Sequence, residues 1–334
     1  MAGRLALLII FCHALLQVGC SKPKATVFKD ERLSQEESVK FCLLGDLGMD
    51  TAFQDAIANA LKREDCDRIV LLGDLVYSSG IKSPDDPELD EKFLKFYSPF
   101  LDDDPDLRFL LVLGNHDHQG NPAAWKALYR EEERFFFPHY YYFVDYGGLC
   151  VVALDTSFYF YKEQLAEAGE QTRWLTGLQP RLKECDVKVA VSHHPFKGGG
   201  YPGSKDWKGA EGGLRVFLDT YVIGNFDLHV AGHVHVLEDD GKDEGTRMLI
   251  SGTGGENRGP GKSGFVVLTW WPSNPKRIGY RLRVVDTQPN VFSEDLQEET
   301  EFVDWPDPIE KVRLTEGFVE SVRTWLRALF RKVI

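Results

Sequence analysis

Positive charge is scarce in this chain. Lysine and arginine total 39 against 52 aspartates and glutamates in 334 residues, a formal net charge of −13. That balance excludes a general affinity for nucleic acid or for an anionic membrane, which would be repelled at long range. A small anionic ligand stays possible, because bound cations reverse the local sign. Cysteine is also sparse, with six in all and none at a close zinc-binding spacing. Cys12 and Cys20 belong to the N-terminal segment. Cys42 and Cys150 lie in apolar runs and read most simply as small core residues, with pairing among Cys42, Cys66, Cys150 and Cys185 left open for an exported chain. No Asn-x-Ser/Thr sequon and no internal repeat occur, and the glycine-rich Ser251 to Gly255 segment lacks the lysine of a nucleotide P-loop.

The N-terminus carries Arg4, an apolar stretch from Leu5 to Leu16 and a Gly19-Cys20 pair, the layout of an export signal over residues 1–20. The stretch is short for a membrane span. Cys20 stands where a bacterial lipoprotein carries its lipid, so the expected location is the bacterial cell envelope or periplasm, with attachment through lipidated Cys20; the alternatives are a plain cleaved signal and an uncleaved anchor. Residues 21–38 read as a polar, solvated tether.

From Val39 onward strand and helix signals alternate: strands at Val39 to Leu44, Arg68 to Leu72 and Phe109 to Leu113, with helical stretches at Thr51 to Arg63 and Pro87 to Leu101. Beyond Tyr140 the pattern becomes strand after strand, with one clear helix from Gln171 to Lys183. Gly198 to Gly213 reads as a loop. This is an α/β layout with a second sheet packed on the first, over one domain spanning 39–288. Residues 289–334 read as an acidic linker and a C-terminal amphipathic helix with a basic end, suited to packing on the domain or on another subunit, with a membrane surface as the alternative.

Five of the apolar runs end in metal-ligand chemistry: GDLG (Gly45 to Gly48), GDLVY (Gly73 to Tyr77), GNHD (Gly114 to Asp117), SHHP (Ser192 to Pro195) and GHVH (Gly232 to His235). Gly45, Gly73, Gly114 and Gly232 are expected to turn the backbone so that the next side chain faces a shared cleft. Converging carboxylates and imidazoles hold two ions close together, the pair that cleaves phosphate esters. Asp74 is the natural bridge. Asp46 and His235 complete one site, and Asn115, His193 and His233 the other. In GHVH the two histidines, on an extended segment, would face opposite ways and serve different ions. Tyr77 is informative because a ferric ion is hard enough to deprotonate and hold a phenolate. Asp117 reads as a turn-stabilising carboxylate, and His139 and His229 as structural or exposed.

In this order the motifs resemble those of the calcineurin-like metallophosphoesterases. The tyrosine in GDLVY makes the chain similar to the purple acid phosphatases, particularly the small tartrate-resistant type, over roughly Val39 to Val285. The resemblance implies a four-layer sandwich of two mixed β-sheets flanked by helices. It implies Fe(III) on Asp46, Asp74, Tyr77 and His235, and divalent iron, zinc or manganese on Asp74, Asn115, His193 and His233. His116 would face the substrate phosphate. The implied reaction is hydrolysis of small phosphate monoesters by metal-bound hydroxide. The alternatives are a phosphodiesterase or nucleotide hydrolase on the same metals, and a non-catalytic phosphate-binding surface lipoprotein.

Three positions depart from or extend the pattern. The relatives carry a second histidine after the HxP motif, and Phe196 to Gly203 contains none, so Lys197 or Tyr201 is expected to hold phosphate instead. His194 stands where tyrosine is common and is the candidate replacement proton donor. The aromatic run Phe158 to Tyr161 is read as a wall of the substrate pocket or as a surface contact.

Overall fold

A computed structural model of the protein describes residues 27–197, 211–256, 261–285 and 296–298. The chain begins with β1 (Val27–Lys29), a 3-10 turn (Glu31–Gln35) and β2 (Val39–Leu44), then α1 (Ala52–Glu64) and β3 (Arg68–Leu72). A helical stretch follows over 87–103, its middle wound as a π-helix (Asp90–Leu94) and its last part α2 (Lys95–Asp103). Next come β4 (Arg108–Val112), α3 (Asn115–Gln119), α4 (Pro122–Glu131), β5 (Phe135–Phe136), β6 (Tyr142–Asp145) and β7 (Leu149–Leu154). A 3-10 turn (Thr156–Tyr159) leads toward α5 (Leu165–Leu182), β8 (Val187–Ser192) and α6 (Gly212–Tyr221). The chain then adds β9 (Leu228–Ala231), β10 (Leu237–Asp243), β11 (Thr246–Ser251), β12 (Gly264–Trp270), β13 (Ile278–Val284) and β14 (Leu296–Glu298).

These strands form two mixed seven-stranded sheets, in the orders β1-β6-β7-β8-β9-β11-β10 and β14-β13-β12-β2-β3-β4-β5. Alternation along β7 shows why they stack. Val151 and Ala153 point into one core, shared with β2, β3 and β4, while Cys150, Val152 and Leu154 point into another, shared with α5 and α6. Helix, sheet, sheet and helix therefore make four layers. The parallel strands β2, β3 and β4 in one sheet, and β7, β8, β9 and β11 in the other, set the geometry of the site. Their carboxyl ends emerge at one edge, where ligands gather in α/β sheets.

Several expectations change. Part of the segment read as a solvated tether is structure: β1 pairs in parallel with β6, Leu33 is buried, and Asp30 pairs with the buried Arg68. The chain also pairs beyond residue 288, where β14 lies antiparallel to β13. Cys42 and Cys150 are not free core residues, since Cys42–Cys66 and Cys150–Cys185 are disulfides with Cα atoms 5.9 and 5.8 Å apart. The sparse spacing concealed them because each bridge joins a strand to a distant loop. α6 and α4 went unread behind glycine and proline. β10, with the sequence LEDDGKD, has no apolar alternation and exists through its pairing with β11. The export signal, Cys20, Tyr201 and the C-terminal amphipathic helix lie outside the described residues.

Candidate metal centre

Each of the five motifs leaves the end of a strand at that shared edge. Three of the six non-glycine residues in left-handed backbone among the described residues are ligand candidates: Asp46 (φ 58°), Asp74 (φ 51°) and His233 (φ 65°). Only Gly73 among the four motif glycines has positive φ, at 93°. The others are glycine for space. A Cβ at Gly114 would overlap the Asp74 carboxylate, and one at Gly232 would lie 2.6 Å from Asp46 Oδ2. GHVH is accordingly not extended, because the chain twists at His233. Strained ligand positions of this kind persist only where surrounding structure enforces them.

Two clusters of donor atoms result. In the first, Tyr77 Oη lies 2.8 Å from Asp74 Oδ2, 3.0 Å from Asp46 Oδ1 and 3.2 Å from His235 Nε2. In the second, Asn115 Oδ1 lies 3.1 Å from both His193 Nε2 and His233 Nδ1, which are 3.2 Å apart. Asp74 Oδ2 joins them, standing 3.3 Å from His193 Nε2. Backbone amides hold the opposite carboxylate oxygens: His233 N donates to Asp46 Oδ2 and His116 N to Asp74 Oδ1, at 2.7 and 2.8 Å. The remaining oxygen of each carboxylate is thereby aimed into the clusters.

The donor chemistry fits cations. His193 Nδ1 faces the Leu72 carbonyl at 2.8 Å, so its proton sits there in the neutral ring and Nε2 presents a lone pair. That lone pair faces the Asn115 carbonyl oxygen and the His233 ring nitrogen, an arrangement that a cation held among them would satisfy. Ligands about 2.1 Å from an octahedral ion stand about 3 Å from one another, as these do. The electrostatics agree. Burial opposes protonation of His193, but the Asp74 and Asp46 carboxylates outweigh it and raise its pKa to about 9, a site where positive charge is welcome. Burial, reinforced by the neighbouring His193, pushes His233 down to about 3, leaving it neutral and able to ligate. Asp74 is buried, yet His193 and His116 keep its pKa well below the usual carboxylate range. Burial and the two carboxylates push the Tyr77 phenol well above its usual range. It remains protonated unless a strongly acidic cation takes the proton's place.

Around the clusters, Asp117 is fully buried and accepts from the amides of Gly114 (2.9 Å) and Leu75 (3.0 Å), tying the second and third motifs together. His116 is the exposed member. Its Nδ1 meets the Ser78 carbonyl and its Nε2 lies 3.9 Å from Asp74 Oδ2. His194 lies beside the second cluster, with a nitrogen of its ring within 4.8 Å of donor atoms of His193 and His233. It is buried, its Nδ1 is 2.8 Å from Thr156 Oγ1, and burial together with His233 and His193 pushes its pKa well below the usual value, so it stays neutral. Lys197 Nζ lies 3.3 and 3.4 Å from the carbonyls of Lys242 and Asp240 on β10.

Sequence reasoning missed Asp155, whose Oδ2 lies 2.7 Å from His118 Nε2 with both side chains buried. It carries the same signal as the ligands, a carboxylate directly after an apolar strand. Gln171 clasps its backbone, accepting from Asp155 N at 2.8 Å and donating to Asp155 O at 2.9 Å. Glu256, 3.4 Å from His235 Nδ1, was also unread.

Two mixed sheets whose strand ends bring a shared carboxylate between two donor clusters define a dinuclear-metal hydrolase type of protein. The chain belongs to the calcineurin-like phosphoesterase family, whose model matches residues 39–237. It is a phosphatase of the hydrolase class and is similar to purple acid phosphatases. It is 27% identical over 242 residues to purple acid phosphatase 7 of Arabidopsis thaliana, covering 65% of this chain and 70% of that one. It is 27% identical over 252 residues to tartrate-resistant acid phosphatase type 5 of Sus scrofa, covering 65% and 69%. Among solved structures, GAP50, described as the anchor in the inner membrane complex of Plasmodium, shares the fold with a TM-score of 0.60. That pair is 20% identical, with 80% of this chain and 90% of the other covered.

Proposed function

We propose that this protein hydrolyses small phosphate monoesters at a mixed-valence centre, with Fe(III) held by Asp46, Asp74, Tyr77 and His235. Divalent iron, zinc or manganese is held by Asp74, Asn115, His193 and His233. The observation that carries the reading is Tyr77 Oη lying 2.8–3.2 Å from the donor atoms of Asp74, Asp46 and His235. A phenol so placed suits a ferric ligand and has no use beside a softer divalent pair. When bound, the two ions supply Lewis acidity to the phosphoryl oxygens and an acidified water as nucleophile.

The chain's own residues do the rest. The amides of His233 and His116 orient the two carboxylates, and the Leu72 carbonyl fixes the His193 tautomer. His116 holds one proton at Nδ1 against Ser78 O. Its Nε2, when protonated, donates to a phosphoryl oxygen or to the departing alkoxide. Two disulfides support export to an oxidising compartment.

The test uses full-length protein loaded with iron. It should show a broad visible tyrosinate-to-iron band that disappears in Tyr77→Phe, and should turn over a chromogenic monoester faster than the matching bis-ester. A colourless active enzyme would sink the ferric assignment, and faster bis-ester turnover would favour a phosphodiesterase.

A further inference from the structure

We propose that Phe160 and Tyr161 form a rigid aromatic rim that selects phosphate esters with a planar, apolar leaving group; this rests on the hydrolytic reading above. Four consecutive aromatic residues occur here, and they divide by role.

Phe158 and Tyr159 are anchors. Phe158 packs edge-on against His118 and Tyr140, with ring centroids 5.4 and 5.6 Å apart. Tyr159 stacks on Phe217 of α6 at 4.4 Å and places its hydroxyl 3.1 Å from Thr172 Oγ1. Asp155 Oδ1 caps the turn at Ser157 N (3.1 Å), and Gln171 holds Asp155. So fixed, the turn has little freedom left to lose when a ligand arrives.

Phe160 and Tyr161 are turned the other way. Phe160 is 45% exposed, one of two large hydrophobic residues that open to solvent among the described residues. Its ring lies 4.5 Å from that of His194, which in turn lies 4.4 Å from the ring of the ligand candidate His233. Tyr161 lies parallel to His118, centroids 6.5 Å apart at 25°. Its phenol pKa is raised by burial and by the charge of Asp74, the carboxylate common to both clusters. The ring contacts from Phe160 through His194 to His233 set Phe160 beside the second donor cluster, and Tyr161 feels the charge of the carboxylate shared by both. A ring stacked there gains affinity that an aliphatic alcohol of similar size does not.

Two readouts on the metal-loaded full chain test this. The first is calorimetric binding of phenylphosphonate against methylphosphonate; the second is kcat/KM for phenyl phosphate against glycerol 2-phosphate. Wild type should prefer the phenyl compound in both. Phe160→Ala should cut that preference by about fivefold, the scale of one aromatic contact, through the phenyl ligand alone, while Phe160→Tyr retains it. Tyr161→Ala should act likewise and Tyr161→Phe should not. Equal binding of the two phosphonates by wild type, no binding of either, or equal loss of both in Phe160→Ala overturns the rim. Phosphonate preference without turnover of either ester would leave the rim standing and remove the hydrolytic reading instead.

Discussion

Asp46, Asp74 and His233 pay a backbone cost that nothing in their immediate sequence requires. Left-handed conformation is rare outside glycine, and three instances at one site indicate that the site dictates the backbone there. The motif glycines matter for a different reason than sequence alone implies, since they clear room for carboxylates. Behind the ligands, His229 is fully buried, with Nε2 2.7 Å from Ser192 Oγ, and burial lowers its pKa to about 3. The sign follows directly. Above about pH 6.5 the ring is neutral in folded and unfolded chains alike, so it contributes nothing. Below that, the unfolded chain takes up a proton that the folded one refuses, and stability falls until the pH reaches the folded value. Between pH 6.5 and 5 this one group should remove about 2 kcal/mol. Urea unfolding at both pH values should show a smaller loss in His229→Gln than in wild type; an equal loss would remove His229 from the account.

At the scale of elements, parallel strands do the positioning: five carboxyl ends deliver the ligands, while the helices cover the outer faces of the sheets. β1 shows how context overrides composition. Val27–Lys29 is too short to be read as a strand, yet it completes the edge beside β6. It also brings Asp30 to Arg68, whose side chain is 3% exposed. Removing one partner of a buried ion pair strands the other, at about 3 kcal/mol or more. Asp30→Ala should therefore lower the urea midpoint clearly. Asp106→Ala should not, because that carboxylate, paired with Arg32, is largely exposed and such pairs contribute below about 1 kcal/mol. Similar losses in the two variants would mean that β1 is not held this way.

At the scale of the whole molecule, Asp46, Asp74, Tyr77 and Asn115 come from the sheet containing β2, β3 and β4, and His193, His233 and His235 from the other. Ions bound between them would cross-link the two sheets, so loading should stabilise the entire fold. With free metal at 100 times its dissociation constant the gain is about 2.7 kcal/mol per site. Chelator-treated protein should melt lower and recover on adding iron and zinc, and His193→Ala should recover only part. An unchanged melting temperature on loading would show that these residues do not hold metal.

The sequence by itself determined the α/β class, the principal strands and the donor residues, because a short apolar run ended by glycine and a ligand is a local signal. It also determined the family. What it could not hold were relations between distant segments: the two disulfides, the β1 edge, the strand β10 without alternation, and the Asp155–His118 pair. The directions of His194 and Lys197 belong here too. His194 adjoins a ligand in the chain and Lys197 follows it within four residues, but the first is buried against Thr156 and the second reaches β10. Adjacency in sequence fixes where a Cα lies, whereas burial, charge and the packing of the opposite sheet decide where the side chain points, and those exist only once the two sheets have closed on each other.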